Sequence, residues 1–397
     1  MPESSLVIGL IGTESGLPGS VDHQVAIGSG EAITDIRVSA FSGPFHRDLT
    51  TLDRAVIGSG EELIEQVGVL ADNGATVAVV NCEDGHLLQA MPAFAEAGIC
   101  VISPTSTAMD LRAEDLDTRG LLVRLAPDDD LLARYLAEQA MDAGGQDTQP
   151  GSCALLARDT VQGRSLAARL RYHLDPAGGT LETHLYEPNG SDHDGIVADV
   201  LAQQPGLVFL AGGDETPGIL QRIADEARGE SGRIEHEMSL RLGFHASRPL
   251  RDAEVSYEAL EAVTGMLPGA PLATAHVNQL LNADPNLWGS GFAFAQQGYD
   301  AIVLAALAAH VARSTEGTRI AGAIGQVLAG DSDCTSYDAC RQQLDVDQAE
   351  DTAWLGFSGP LGIGPDGDPS RCSLAEFGYT GDRLIGEQTD TVLEREG

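Results

Sequence analysis

Two Rossmann-like α/β lobes, each built on a parallel sheet, are what this sequence predicts, and three observations predict them. Short apolar runs alternate with stretches whose apolar residues recur at helical spacing, the order expected of βαβ units. The rhythm breaks near Arg124 and again near Gly265, as it would where a chain passes from one lobe to another. A length of 397 residues exceeds what one ordinary core organises and suits two lobes of usual domain size.

In chain order, Leu6 to Ile11 is a short apolar run stopped by Gly12, which reads as a buried parallel strand. Val21 to Thr34 is read as a shortened, irregular stretch, because Gly28 and Gly30 disfavour a firm helix. Asp35 to Phe41 alternates and stops at Ser42-Gly43-Pro44, which predicts a strand and a turn. Leu63, Ile64, Val67 and Leu70 share one helical face closed by Asn73-Gly74. A strand over Thr76 to Val80, a helix ending at Gly98 and a strand over Ile99 to Ser103 follow.

After Arg124-Leu-Ala-Pro127 the alternation restarts. Helices are predicted over Leu131 to Met141, Ser165 to Leu174, Gly195 to Gln203 and Ile219 to Arg228. Strands are predicted over Cys153 to Ala157, Glu182 to Tyr186, Leu207 to Ala211 and, last of the series, Ser239 to Gly243. Near Gly265-Met-Leu-Pro-Gly269 the chain is expected to return to the first lobe and finish it with helices over Asp300 to Ala312 and Ile320 to Leu328. From Cys334 the tail is expected to close the second lobe with a hairpin around Gly364-Pro-Asp-Gly367. The predicted lobes are therefore residues 1–125 plus 266–330 and residues 126–265 plus 331–397.

Composition removes several classes. A net charge of −37 argues against nucleic-acid binding, which needs clustered positive charge. All 23 basic residues are Arg, and so dense a carboxylate surface suits solubility in a salty medium without saying anything about a ligand. The most apolar helical run, Ala301 to Val311, is too short to cross a bilayer and reads as a buried helix. No G-x-S-x-G elbow, H-E-x-x-H helix or lysine-bearing phosphate loop is present, and His46-Arg-Asp48 matches a kinase triplet by letters alone. Asp128-Asp-Asp130 follows a proline and reads as a helix start rather than a metal site. No catalytic residue, cofactor or metal ion is expected.

Of six cysteines, Cys334 and Cys340 enclose a short polar segment at a spacing that suits a small disulfide loop and an oxidising compartment. The pairing of Cys82, Cys100, Cys153 and Cys372 stays open. Met1-Pro-Glu-Ser-Ser does not resemble a signal peptide, so the chain is either cytoplasmic or lacks a leader that the full gene encodes.

Several segments together resemble the type I periplasmic binding proteins of the leucine/isoleucine/valine import systems. They are Ile8-Gly-Leu-Ile-Gly-Thr-Glu-Ser-Gly16, Ala97 to Thr107, Gln162-Gly-Arg-Ser-Leu-Ala167, Val208 to Gly213 and Gly298-Tyr-Asp-Ala301. Cys334 to Cys340 and Phe357-Ser-Gly-Pro360 resemble the actinobacterial branch. The resemblance implies two lobes joined by a three-stranded hinge, with a small ligand such as an amino acid held in the cleft. It also implies an ABC permease as partner, an extracellular, cell-surface lipoprotein or periplasmic location, and contact with the membrane only through a removed lipoprotein leader.

The candidate ligand-binding residues follow from that resemblance and from position at strand ends. Thr105, Ser106 and Thr107, after the strand ending at Ser103, offer hydroxyls and amides to a carboxylate; the plain alternative is a helix cap. Asp84 stands where the family usually has a Ser that touches the carboxylate, so it would repel an anion and favour an ammonium; the alternative is a helix-initiating Asp. Gln162 matches a position that covers the ligand from the second lobe. Asp214 sits at another such position, where an acid could bind a ligand ammonium, and His245 falls near where the family supplies an acid to that ammonium; all three are otherwise polar loop residues. Thr13 and Ser15 would close the cleft from the first lobe.

Three functions fit: a receptor delivering solute to a membrane importer, a ligand-sensing domain of the same fold, and a scaffold that has lost its ligand. The shortened stretch after the first strand and Asp84 motivate the last.

Overall fold

The computed structural model describes residues 5–39, 49–143, 149–188, 193–227, 238–345 and 352–395. The turn at Ser42-Gly43-Pro44, the triplet His46-Arg-Asp48, Arg228 and the first four residues lie outside them.

The first lobe begins with β1 (Leu6–Thr13), α1 (Gly16–Gly19), α2 (Asp22–Ser39), β2 (Leu49–Thr51), β3 (Ala55–Ile57) and α3 (Gly60–Asp72). It continues with β4 (Val77–Val80), α4 (Asp84–Ala97), β5 (Cys100–Ser103) and β6 (Leu122–Arg124). Its sheet is parallel throughout, in the order β2-β1-β4-β5-β6 with β3 also on β1. Being covered on both faces, its strands are runs such as Val77-Ala-Val-Val rather than alternating patterns. One face packs on Leu63, Val67, Leu87, Met91 and Phe94 of α3 and α4. Gly98, with φ +68°, closes α4 in the left-handed cap that glycine favours.

Residues 125–128 lead from β6 to α5 (Asp129–Asp142), which packs on the second sheet. That lobe then runs through β7 (Gln149–Arg158), α6 (Val161–Ala177), β8 (Thr180–Tyr186), α7 (His193–Gln203), β9 (Pro205–Ala211) and α8 (Thr216–Glu226). β10 (Ser239–Leu242), α9 (Tyr257–Leu260) and β11 (Val263–Pro268) follow. The chain next makes α10 (Thr274–Ala283), α11 (Leu287–Ser290), α12 (Ala295–Val311) and α13 (Gly317–Val327). Of these, α10 and α12 lie on α2, and α13 reaches β5. The tail holds β12 (Ser332–Cys334), α14 (Tyr337–Asp345), β13 (Thr352–Trp354), β14 (Gly362–Ile363), β15 (Pro369–Tyr379) and β16 (Ile385–Glu394). The second sheet has the order β14-β15-β11-β10-β9-β7-β8, with β16 on β15. It is parallel from β11 to β8, and β14, β15 and β16 add an antiparallel edge.

Three expectations need correction. The stretch after β1 is neither shortened nor irregular: α2 is an 18-residue helix. Asp35 to Ser39, read as the start of a strand, form its last turns. The glycines that argued against a helix serve its packing. A Cβ on Gly28 would meet the Ala295 carbonyl at 2.0 Å, and one on Gly298 would meet the Val25 carbonyl at 2.5 Å. Their absence lets α2 and α12 cross closely enough for Ser29 Oγ to donate to the Gly298 carbonyl at 3.1 Å. Burial against α12 outweighs the intrinsic cost of glycine, about 1 kcal/mol per residue. The third correction is β11: the Gly265 region, read as a return to the first lobe, is a strand of the second sheet, pairing with β10 and β15.

The tail also divides. β15 and β16 extend the second sheet, whereas α14 packs on α2 and α12. Cys334 and Cys340 form the disulfide expected of their spacing, while Cys82, Cys100, Cys153 and Cys372 are free, buried thiols. Among the described residues, no helix is long and apolar enough to cross a membrane. Two segments of the family resemblance meet in space. The carboxylate of Asp300, wholly buried in α12, accepts hydrogen bonds from the N–H groups of Phe357 (3.0 Å) and Ser358 (2.8 Å), and Tyr299 stacks on Phe357.

Candidate functional site

Parallel strands end on the same side of each sheet, and the loops beyond those ends face each other across the cleft. The first lobe contributes the loop after β1, the start of α4 and residues 103–108 after β5. The second contributes the starts of α5 and α6 and the glycine-rich loops after β9 and β10. Two adjoining chambers lie between them. An outer one of about 280 Å³ is bordered by Glu83, Asp84, His86 and Thr105 on one side and by Asp159 and Arg164 on the other. An inner one of about 30 Å³ is bordered by Asp129, Leu132, Phe209, Phe244 and His245. Leu17, Thr160 and Gln162 border both.

Asp84 starts α4, yet its carboxylate is not simply a cap. It accepts the N–H of Ala108 at 2.9 Å and of Thr107 at 3.3 Å. Burial drives its carboxyl above the usual range, against the pull of those two N–H groups and of the Ser106 hydroxyl. The Thr107 amide, one of the donors expected to meet a ligand carboxylate, is thus already occupied by a carboxylate of the protein, as is that of Ala108. The neighbouring hydroxyls also turn inward. Thr105 Oγ1 donates to Asn81 Oδ1 at 2.8 Å, and Ser103 Oγ donates to Ser106 Oγ at 2.8 Å.

Thr107 is the junction of the two lobes. Its N–H serves Asp84, its carbonyl accepts the N–H of Asp129 at 2.9 Å, and its Oγ1 accepts Nε2 of Gln162 at 2.8 Å. Gln162 rides on the first turn of α6, whose N-cap Thr160 accepts the N–H of Gly163. A second bridge nearby runs from the Met109 N–H to Ser165 Oγ at 2.9 Å.

Thr13 and Ser15 bond to each other at 3.0 Å, and Thr13 Oγ1 donates to the Ile57 carbonyl; neither borders a chamber. His245 borders the inner chamber, buried, with neither ring nitrogen hydrogen-bonded. Burial, aided by Arg158, lowers its pKa to about 3, so the ring is neutral. The Leu17 backbone lies near enough to oppose that shift but outside hydrogen-bond geometry. Asp214 departs from its expected role. Its side chain is 69% exposed and pairs with Arg248 at 2.7 Å, outside both chambers. The inward acid of that loop is Glu215, clamped by Arg158 (2.8 Å to Nε), Tyr186 (2.9 Å) and the Gly213 N–H (3.1 Å). Burial alone would raise its carboxyl, but Arg158 and these donors bring it down to about 2.

Sequence reasoning gave Asp128-Asp-Asp130 one role, and the structure gives three. Asp128 caps α5 by accepting the N–H groups of Asp130 (3.1 Å) and Leu131 (3.0 Å). Asp130 faces outward to Arg169 and His173. Asp129 is 1% exposed, borders the inner chamber, and has no hydrogen-bond partner on either carboxylate oxygen. Burial lifts its carboxyl to about 7; Ser165 and Thr107 are close enough to temper this without reaching hydrogen-bond geometry. A signal was present: Asp129 shares a helical face with Leu132, Ala133, Leu136 and Ala140, all buried.

A third cavity, about 220 Å³, lies away from the cleft among Leu267, Leu272, Trp288, Phe292 and Ile385. No charged residue borders it, and its polar side chains are those of Gln296 and Gln388. No group of metal-ligating side chains occurs among the described residues.

Two α/β lobes facing each other across such a cleft define the class: this is the type I periplasmic binding protein fold. Residues 59–228 match the family model described as periplasmic binding protein. A comparison with curated protein sequences finds no match. Among solved structures, the leucine-binding protein LivK of Thermotoga maritima superposes with a TM-score of 0.70 at 14% identity, covering 98% of this chain and 99% of that one. A solute-binding protein of an ABC transporter from R. palustris, in complex with benzoate, gives 0.70 at 12%, covering 99% and 98%. The branched-chain amino acid binding protein LivJ of Streptococcus pneumoniae, in complex with isoleucine, gives 0.68 at 13%, covering 98% and 100%.

Proposed function

We propose that this protein is an extracellular or periplasmic solute-binding protein. It captures a small polar ligand, an amino acid or a related amide or amine, between its lobes and presents it to an ABC-type permease, without chemistry of its own. The proposed lobes are residues 1–125 plus 266–330 and 126–265 plus 331–397, with β11 reassigned to the second and α14 to the first. The observation that carries the reading is the pair of adjoining chambers, bordered between them by buried polar groups of both lobes at strand ends. Asp84, Thr105, Thr107, Gln162 and His245 are the proposed contacts among the residues named from sequence, with Ser106 supporting them. Thr13 and Ser15 act only by shaping the loop, and Asp214 is withdrawn in favour of Asp129. The scaffold reading loses its main support, since α2 is a full helix.

A panel of amino acids, amines, amides and small carboxylates tests this by thermal shift and by small-angle scattering. The expected result is that one compound class raises the melting temperature by mass action and reduces the radius of gyration. Cooperative melting that no compound moves would refute the reading.

A further inference from the structure

Resting on the solute-binding reading, we infer that the ligand is a primary amine with no carboxylate next to its ammonium group, and that this group occupies the inner chamber between Asp129 and His245. Asp129 is the central observation. A fully buried carboxylate with both oxygens unpartnered is costly unless a donor arrives to meet it, and Asp129 borders a chamber whose other polar side chains are Thr160, Gln162 and His245. His245, on the chamber wall with both nitrogens free, supplies a neutral acceptor there. An ammonium group brings three N–H donors and a positive charge to these acceptors.

Size agrees with charge. A space of about 30 Å³ accommodates a group the size of one or two waters, so an ammonium head fits while the rest of the ligand does not. The remainder extends past Leu17 and Gln162 into the outer chamber of about 280 Å³.

The same surroundings reject a carboxylate on the adjacent carbon. Such a group would lie where Leu17, Thr160 and Gln162 border both chambers; Thr107, to whose hydroxyl Gln162 donates, already serves Asp84 with its N–H, and its carbonyl accepts from the Asp129 N–H. It would face two buried carboxylates, and the guanidiniums nearby are engaged: Arg158 by Glu215, Arg164 by Asp159. Like charges in that setting repel strongly.

Isothermal titration with matched pairs tests the inference: 3-methylbutylamine against leucine, 2-phenylethylamine against phenylalanine, and cadaverine against lysine, with 4-methylpentanoate and benzoate as carboxylate-only probes. At least one amine is expected to bind at least tenfold more tightly than its amino acid, and Asp129→Asn to weaken that amine at least tenfold. Asp84→Ala, which frees the Thr107 and Ala108 N–H groups, is expected to narrow the gap between amine and amino acid. An amino acid or carboxylate-only probe that binds as tightly as the amines overturns the inference while leaving the solute-binding reading intact. Silence across every probe overturns both. Circular dichroism and thermal melting confirm that each variant is folded, and unchanged amine affinity in a folded Asp129→Asn protein overturns the role of Asp129.

Discussion

Two groups of buried charge lie near residues 125–128, where the chain passes between lobes, and they are built in opposite ways. In one, Arg124, fully buried at the end of β6, grips Asp368 through Nε (2.7 Å) and Nη2 (2.6 Å) and donates from Nη1 to the Ala108 carbonyl at 2.7 Å. Arg112 adds a bond to Asp368 at 2.8 Å, and Arg395 reaches Asp128. Burial alone would raise the Asp368 carboxyl, yet Arg124 and Arg112 bring it down to about 2. In the other, Asp84 has two amide donors and Asp129 has none, and burial wins at both. The paired cluster ties β6, the Gly364–Asp368 turn and the C-terminal strand into one joint. Asp129, without a partner, borders the inner chamber, and Asp84, held by amides and not by a guanidinium hydrogen bond, borders the outer one. Equal burial therefore means structure where every charge is answered and a binding capacity where one is not.

The contrast predicts a graded set of effects. The largest belongs to the paired cluster. Arg124→Met removes the bidentate partner of buried Asp368, leaving Asp368 to Arg112 and Asp128 to Arg395, and is expected to destabilise by about 3–5 kcal/mol in urea denaturation. A loss under 1 kcal/mol would mean that the cluster is not the joint described.

Next comes the opposite sign at Asp129. Its folded carboxyl, near 7, holds a proton more tightly than the unfolded carboxyl at about 3.9, so the folded form is favoured by protonation. That stability is fully present below about pH 4 and lost as pH rises through about 7. The ligand-free protein should therefore melt progressively lower over this window. Asp129→Asn should flatten that part of the profile and gain about 1–3 kcal/mol at pH 8. A variant less stable than the parent at pH 8 would remove the contrast.

A smaller effect sharpens the lobe contact. Gln162→Ala deletes the hydrogen bond to Thr107 and should cost about 0.5–1.5 kcal/mol, read as weaker ligand binding with a larger radius of gyration in scattering. Unchanged affinity and dimensions would assign Gln162 no part in closure. Smallest is Asp214→Ala. Its exposed pair with Arg248 should be worth less than about 1 kcal/mol in a thermal melt and nothing in ligand affinity. A lost affinity there would return Asp214 to the site.

Much of the architecture was legible because it depends on local pattern. Buried parallel strands such as Val77–Val80 and Cys100–Ser103 are continuous apolar runs, and helices such as α3 carry a one-faced stripe with clear caps. Where the reading failed, at α2, the glycines looked like breaks because their purpose, a close crossing with α12, involves residues some 270 positions away. Part of the site was legible too, since strand ends in an open α/β sheet mark where ligands gather. Asp214 and Glu215 show the limit. Adjacent acids in one loop differ in direction alone, and only the position of Arg158 decides which turns inward.

By itself, then, the sequence determined the layered α/β class, the order of most strands and helices, the small disulfide loop and the strand-end segments that border the cleft. These follow from periodicity, turn chemistry and short-range spacing, which are local properties of a chain. Only the tertiary structure decided that Asp84 occupies the amides of Thr107 and Ala108, that Asp129 is left unanswered, and that Arg124 is answered by a residue 244 positions later. Whether a buried charge is paired depends on which distant groups the fold brings within hydrogen-bond reach, and no local pattern encodes that.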